Sequence, residues 1–248
     1  MISLKDHLDY PVDVHQIVRN RQFNELLKFT NFSFCLLFRD LIDIINSAQL
    51  IIVKHVIDNI IDINSCAHGY DLIHYLIEIK NLKLFNHYVD KYFIDLDSIS
   101  YERTTAIYYA VCNGRLDMVD FLINKGVNLE VSHLDGNKPI HEACENGSLE
   151  IIKLLLNKGV DLESQNNNGW RPIHFVCRHR NYDIIKLLLS KNINLESRII
   201  TRYNDNNVDC GVKDLLLMNK NLNSEEQQEL LDIIDKKLNF AIIDYPNI

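Results

Sequence analysis

The strongest constraint on this chain is that it repeats itself. The segment KPIHEACENGSLEIIKLLLNKGVDLES, from Lys138, returns as RPIHFVCRHRNYDIIKLLLSKNINLES, from Arg171. Pro139, His141, Cys144, Leu155 and Leu162 each find an identical residue at that interval, in Pro172, His174, Cys177, Leu188 and Leu195. A period of about 33 residues marks stacked supersecondary units, each too small to bury its apolar side alone. Thr105 opens an earlier copy, TAIYYAVCNGRLDMVDFLINKGVNLEV, and a terminal Asp/Asn element recurs at the same interval in Asp62, Asp95, Asn128, Asp161 and Asn194. In the weaker unit LIHYLIEIKNLKLFNHYVDKYFIDLD, His74 lies one position further from His141 than two periods would place it. Its first helix is therefore expected to be one residue longer.

Each unit reads as two short helices and a turn. In the second helix of the best copy Leu149, Ile152, Leu155 and Leu156 recur with helical spacing and predict one buried stripe. Gly126 and Gly159 follow such helices, with Asn192 in the same slot, and these residues tolerate the left-handed conformation that ends a helix. Phe93 and Ile60 hold that slot in the early units, so those two ends are expected to be built differently. The dipeptides Asp135-Gly136 and Asn168-Gly169 favour tight turns with positive φ and mark hairpin tips before the first helices.

The period, the Pro-Ile-His with a small residue two positions on, and the LEIIKLLLNKGVDLE ending resemble the ankyrin-repeat family. The KPIHEAC and RPIHFVC style is similar to the ankyrin arrays of giant DNA viruses of the mimivirus kind. The resemblance implies an all-α solenoid of stacked helix-turn-helix units with hairpin tips and degenerate caps. Residues 1–39 are then an amino-terminal helical cap or degenerate repeat. Units follow at about 40–66, 67–99, 100–132, 133–165 and 166–197, and 198–248 is a linker and helical cap. Within that last segment Ser224 and Gln227 form a capping-box pattern. Lys138 and Arg171 replace the family's usual Thr before Pro, and Tyr108 replaces His, which is expected to weaken the hydrogen bonds between neighbouring units.

Composition closes off other classes. The formal net charge of −8 argues against general affinity for nucleic acid, which needs concentrated positive charge. The longest apolar run, FSFCLLF, is far too short to span a bilayer, and no secretory signal opens the sequence. Six cysteines without tight pairing suit a reduced, cytoplasmic protein, in the host cytoplasm if viral. No phosphate-cradling Gly loop, nucleophile elbow or HExxH occurs, so neither catalysis nor a cofactor is expected. His141 with Cys144 and His174 with Cys177 are zinc-ligand types. Equivalent positions on packed helices lie roughly 8–10 Å apart, however, and a structural role with no metal is the reading taken.

Binding remains. The resemblance implies a concave surface made of hairpin tips and first helices, onto which Tyr109, Asn137, Glu142, Glu145, Trp170, Phe175, Arg178 and His179 map. Trp170 and Phe175 are expected to be exposed there and to anchor a partner protein. Residues 166–197 carry Arg171, Arg178, Arg180, Lys186 and Lys191 against Asp183 and Glu196, which suggests an acidic partner surface. The reading is a monomeric protein–protein interaction module. The alternatives are an adaptor presenting a target to a ubiquitin ligase, or a self-assembling structural protein.

Overall fold

The computed structural model describes residues 54, 76–77, 81–99, 103–179, 182–203 and 206–243. They fall in two units, one ending at Glu102 and one beginning at Arg103. The segments read as the amino-terminal cap and the unit at 40–66, with Asp62, Ile60 and His74, lie outside the described residues.

The first unit contributes α1 (Leu82–Tyr92), whose Asn81 side chain caps the helix by accepting from the Leu84 N–H at 3.0 Å. Phe85 and Tyr88 of α1 are fully buried. The helix ends with Phe93 in the left-handed conformation, φ 49° and ψ 45°. This corrects the expectation that Phe93 requires a different ending. Phe93 adopts the backbone that Gly126 adopts at φ 82°, and its ring, 92% exposed, stays clear of the turn.

The second unit is a run of helix pairs. They are α2 (Ala106–Cys112) with α3 (Leu116–Lys125), α4 (Pro139–Asn146) with α5 (Leu149–Asn157), and α6 (Pro172–His179) with α7 (Tyr182–Leu189). The last pair, α8 (Val212–Met218) with α9 (Ser224–Ile243), follows an antiparallel hairpin of β1 (Arg198–Tyr203) and β2 (Asn206–Gly211). First helices pack in succession, α2 on α4, α4 on α6 and α6 on α8, while α3 packs on α5 and α7 on α9. The layers between them hold Ile107, Val111, Met118, Leu122, Ile140, Ile152, Leu155, Val176, Ile184 and Leu188, none more than 1% exposed. Within α5 the buried stripe is Ile151, Ile152 and Leu155, whereas Leu149 and Leu156 are half-buried. Buried aliphatic surface of this extent is the main stabilising term in such a stack.

Residues 198–203 and 206–211, expected as part of a linker, therefore form paired β-strands, and the fold is not purely helical. Ile199 and Cys210, paired across the strands, are buried, and Ile200 on the opposite face is 69% exposed. The hairpin stands where a short turn stands in earlier units. Lys138, Arg171 and Gly211 each precede a first helix, and the interval from Arg171 to Gly211 exceeds the one before it. The helix α9 is capped one residue earlier than the sequence pattern suggests. Asn223 Oδ1 accepts from Glu226 N–H at 2.9 Å and Glu226 accepts from Asn223 N–H at 3.0 Å. Gln227 instead donates to the carbonyls of Leu216 and Asn219, closing α9 onto α8.

Candidate binding face

The groups that fix each first helix are polar and recur with the period. Lys138 N–H donates to His141 Nδ1 at 3.1 Å, and Arg171 N–H to His174 Nδ1 at 2.9 Å. Each ring must then carry its proton on Nε2. His141 donates it to the Ser164 carbonyl at 3.0 Å, and His174 donates to Ser197, whose Oγ lies at 3.0 Å. Both imidazoles are wholly buried and fully engaged by these bonds, a structural role that leaves no nitrogen for a metal. Burial lowers the affinity of both rings for a second proton, and the His174 pKa falls to about 4. Cys144 and Cys177, one turn on, are fully buried, and burial alone pushes the Cys177 thiol up.

The cations in the Thr slot do not loosen the stack as expected. Lys138 Nζ binds one oxygen of Glu130 at 2.8 Å, and the other oxygen accepts from the Asp161 N–H of the next unit at 3.0 Å. Glu163 repeats the device, with Arg171 at 3.4 Å and the Asn194 N–H at 2.8 Å. A carboxylate shared by a cation and a backbone N–H replaces the missing hydroxyl. Where Thr is retained, at Thr105, its Oγ1 lies 3.4 Å from the Tyr108 N–H that it caps.

Hairpin tips are tied by amides. Asn137, expected on the binding face, is buried: it donates to Asp135 and accepts from Asn166 Nδ2, both at 2.9 Å. Gly136 has φ 83°, and a Cβ there would lie 2.6 Å from the Asn167 backbone nitrogen. This turn therefore needs glycine for both conformation and space.

Trp170 and Phe175 correct the sequence reading most sharply. Trp170 is 7% exposed and Phe175 is 9% exposed, so neither offers a bare aromatic surface. Their rings meet at 4.9 Å, Trp170 lies edge-on to His174, and Phe175 lies edge-on to His141 of the preceding unit, which places the Phe175 ring between units. Above them the Arg178 guanidinium lies 5.3 Å from the Trp170 ring centroid, a cation–π contact that holds it in place. Arg171 is committed to Glu163, and Lys186 stands on a second helix paired with Glu229 at 2.8 Å. Of the positive charge counted over 166–197, these two groups are thus spent within the protein. His179 ends α6.

What remains on the face is polar and ordered in rows. Glu142 and Glu145 sit on the half-exposed side of α4, and Tyr109 on the corresponding side of α2. Glu142 accepts from the Tyr108 hydroxyl at 3.1 Å and from Asn146 at 2.8 Å. Tyr108 in turn stacks on His133 at 4.9 Å, and burial followed by the Glu142 charge pushes its phenol up. Among the described residues neither Glu142 nor Glu145 has a cationic partner, whereas Asp117, Glu130, Glu150, Glu163 and Glu229 each do. No cluster of His, Cys, Asp or Glu able to hold a metal occurs among the described residues. No described helix is long and apolar enough to cross a membrane.

Stacked helix pairs with hairpin tips and a polar, half-exposed face define a repeat array. Family models agree on the repeat: ankyrin repeats, in three copies, match residues 126–199, and a single ankyrin repeat matches residues 103–133. The matched stretch covers α2 through α7, where the chain is similar to ankyrin repeats. Comparison with curated proteins gives no match. Ankyrin repeats are in general protein–protein interaction modules and typically non-catalytic.

Proposed function

We propose that this chain binds a partner protein through the face made by α2, α4, α6 and the hairpin tips, and performs no catalysis itself. The observation carrying this reading is the contrast in how charges are satisfied. Glu130, Glu163 and Glu229 meet cations within the chain, while among the described residues Glu142 and Glu145 stand half-exposed without counter-ions, beside an Arg178 fixed on its aromatic support. An interface rim of this kind sets partner choice and association rate. Tyr109 adds an aromatic group of the type enriched in binding hot spots. Trp170, Phe175 and Asn137 act beneath this surface as its support, and the face ends where α6 does, at His179.

Because Trp170 is buried, truncating it would confuse folding with binding, and the test uses surface positions. A triple variant, Glu142→Ala, Glu145→Ala and Arg178→Ala, is compared with the unaltered chain in affinity capture and thermal melting. Native-like melting with loss of the proteins captured by the unaltered chain is expected. Unchanged capture would assign binding to another surface, and a collapsed melting temperature would assign the three side chains to the fold.

A further inference from the structure

The face has a charge order that specifies its occupant. Cys112, Glu145 and Arg178 hold the same position on α2, α4 and α6, each one period after the last. Tyr109, Glu142 and Phe175 form the row beside them. Since α2 packs on α4 and α4 on α6, these rows run across the helices in steps of roughly 8–10 Å, the usual spacing of packed helix axes. Along the row the sign changes once, from the Glu142 and Glu145 carboxylates on α4 to the Arg178 guanidinium on α6. Glu145 and Arg178 form no ion pair with each other among the described residues, and Arg178 is held by Trp170 instead.

The apolar groups of this region are already covered. Phe175 meets His141 of α4 edge-on and packs on Trp170, and both aromatics are buried, so among the described residues they leave no open apolar surface for the stripe of a partner helix. A charged, extended segment meets the row better. In the polyproline II conformation a chain turns once every three residues and rises about 3.1 Å at each, so side chains three positions apart lie on one side, about 9 Å from each other. That spacing matches the step from α4 to α6.

Resting on the binding reading above, we infer that the occupant is an extended segment of the partner carrying a basic side chain opposite Glu142 and Glu145 and an acidic one opposite Arg178, with two residues between them. The carboxylate pair takes a Lys or Arg. Arg178 takes an Asp or Glu, which its planar donor fork matches. Like charges set against either half oppose binding, so the order of charge on the face acts as its specificity.

The test is a display selection of random nonapeptides on the full chain, run in parallel on Arg178→Glu and on Glu142→Lys with Glu145→Lys. Arg178→Gln and Glu145→Gln serve as milder variants, and melting curves verify that each folds. Peptides from the unaltered chain are expected to carry one basic and one acidic residue three positions apart. They should bind Arg178→Glu about tenfold or more weakly, as for loss of a close charge pair. Arg178→Glu, with an all-acidic row, should select two basic residues at that spacing, and the double lysine variant two acidic ones. Peptides that lose affinity for these variants but lack the charge pair, or carry it at the longer spacing of two helical turns, would overturn the inference and leave the binding reading standing. Peptides that bind every variant equally, or no enrichment at all, would overturn both.

Discussion

His174 shows how one side chain ties a first helix to the end of its own unit and makes stability depend on pH. The ring is neutral in the folded protein, donates to Ser197 and has a pKa of about 4 against the usual 6.5, and His141 is shifted the same way. Between those values the unfolded chain binds a proton that the folded chain excludes. Stability is then complete above pH 6.5 and falls as pH drops toward 4, by roughly 2–3 kcal/mol for a group shifted this far. Urea unfolding in neutral buffer and in mildly acidic buffer, just above the folded pKa, checks this. The loss should be largest in the unaltered chain and smaller in His174→Gln, which has no imidazole to protonate. An equal loss in both would place the acid sensitivity elsewhere.

Among the elements, the hairpin tips and second helices make opposite demands on side-chain size. Gly136 and Gly169 have similar positive φ, 83° and 78°, but only the first lies against a neighbouring tip. Replacing either with Ala imposes the left-handed penalty of about 1–2 kcal/mol. Gly136→Ala should lose more than Gly169→Ala, because its Cβ also meets the Asn167 backbone, and a denaturant titration of the pair isolates that clash. In α5 the requirement is for bulk. Leu155 is fully buried between helices, so Leu155→Ala should destabilise by about 2–5 kcal/mol, and a loss under about 0.5 kcal/mol would refute the packing register. Phe93 shows that a helix can end in left-handed backbone without glycine when its side chain turns into solvent.

For the repeat array as a whole, nearest-neighbour packing means that interior groups become accessible only when adjoining units separate. The thiols report this. Cys144 and Cys177 are fully buried on α4 and α6, while Cys112 on α2 is exposed. Under native conditions a thiol reagent, followed by peptide mass spectrometry, should modify Cys112 before Cys144 and Cys177. Cys144 and Cys177 should follow slowly and at similar rates, accelerating together as denaturant is added. Rapid native labelling of both buried thiols would contradict the stack.

The period, the helix pairs, the glycine-marked tips and the buried cysteines were legible in the sequence because each rests on local chemistry repeated at a fixed interval. Pro139 and Pro172 start helices, Asp135-Gly136 turns the chain, and Leu155 and Leu188 are apolar wherever the unit is placed. The tertiary structure decided what depends on neighbours. Trp170 and Phe175 were read as exposed because their tip and helix positions face outward in a single unit, but Phe175 meets His141 of the adjoining unit, and Trp170 is covered by Phe175, His174 and Arg178. The Glu130 and Glu163 bridges join groups in successive units, and no local pattern announces such a bond. The strands 198–203 and 206–211 carry polar residues like a loop, and they acquire their order from pairing with each other and from burying Ile199 and Cys210. The charge order along α4 and α6 was written in the sequence at Glu145 and Arg178, but only the packing that lays those helices side by side, and the Trp170 ring that fixes Arg178, make it a surface.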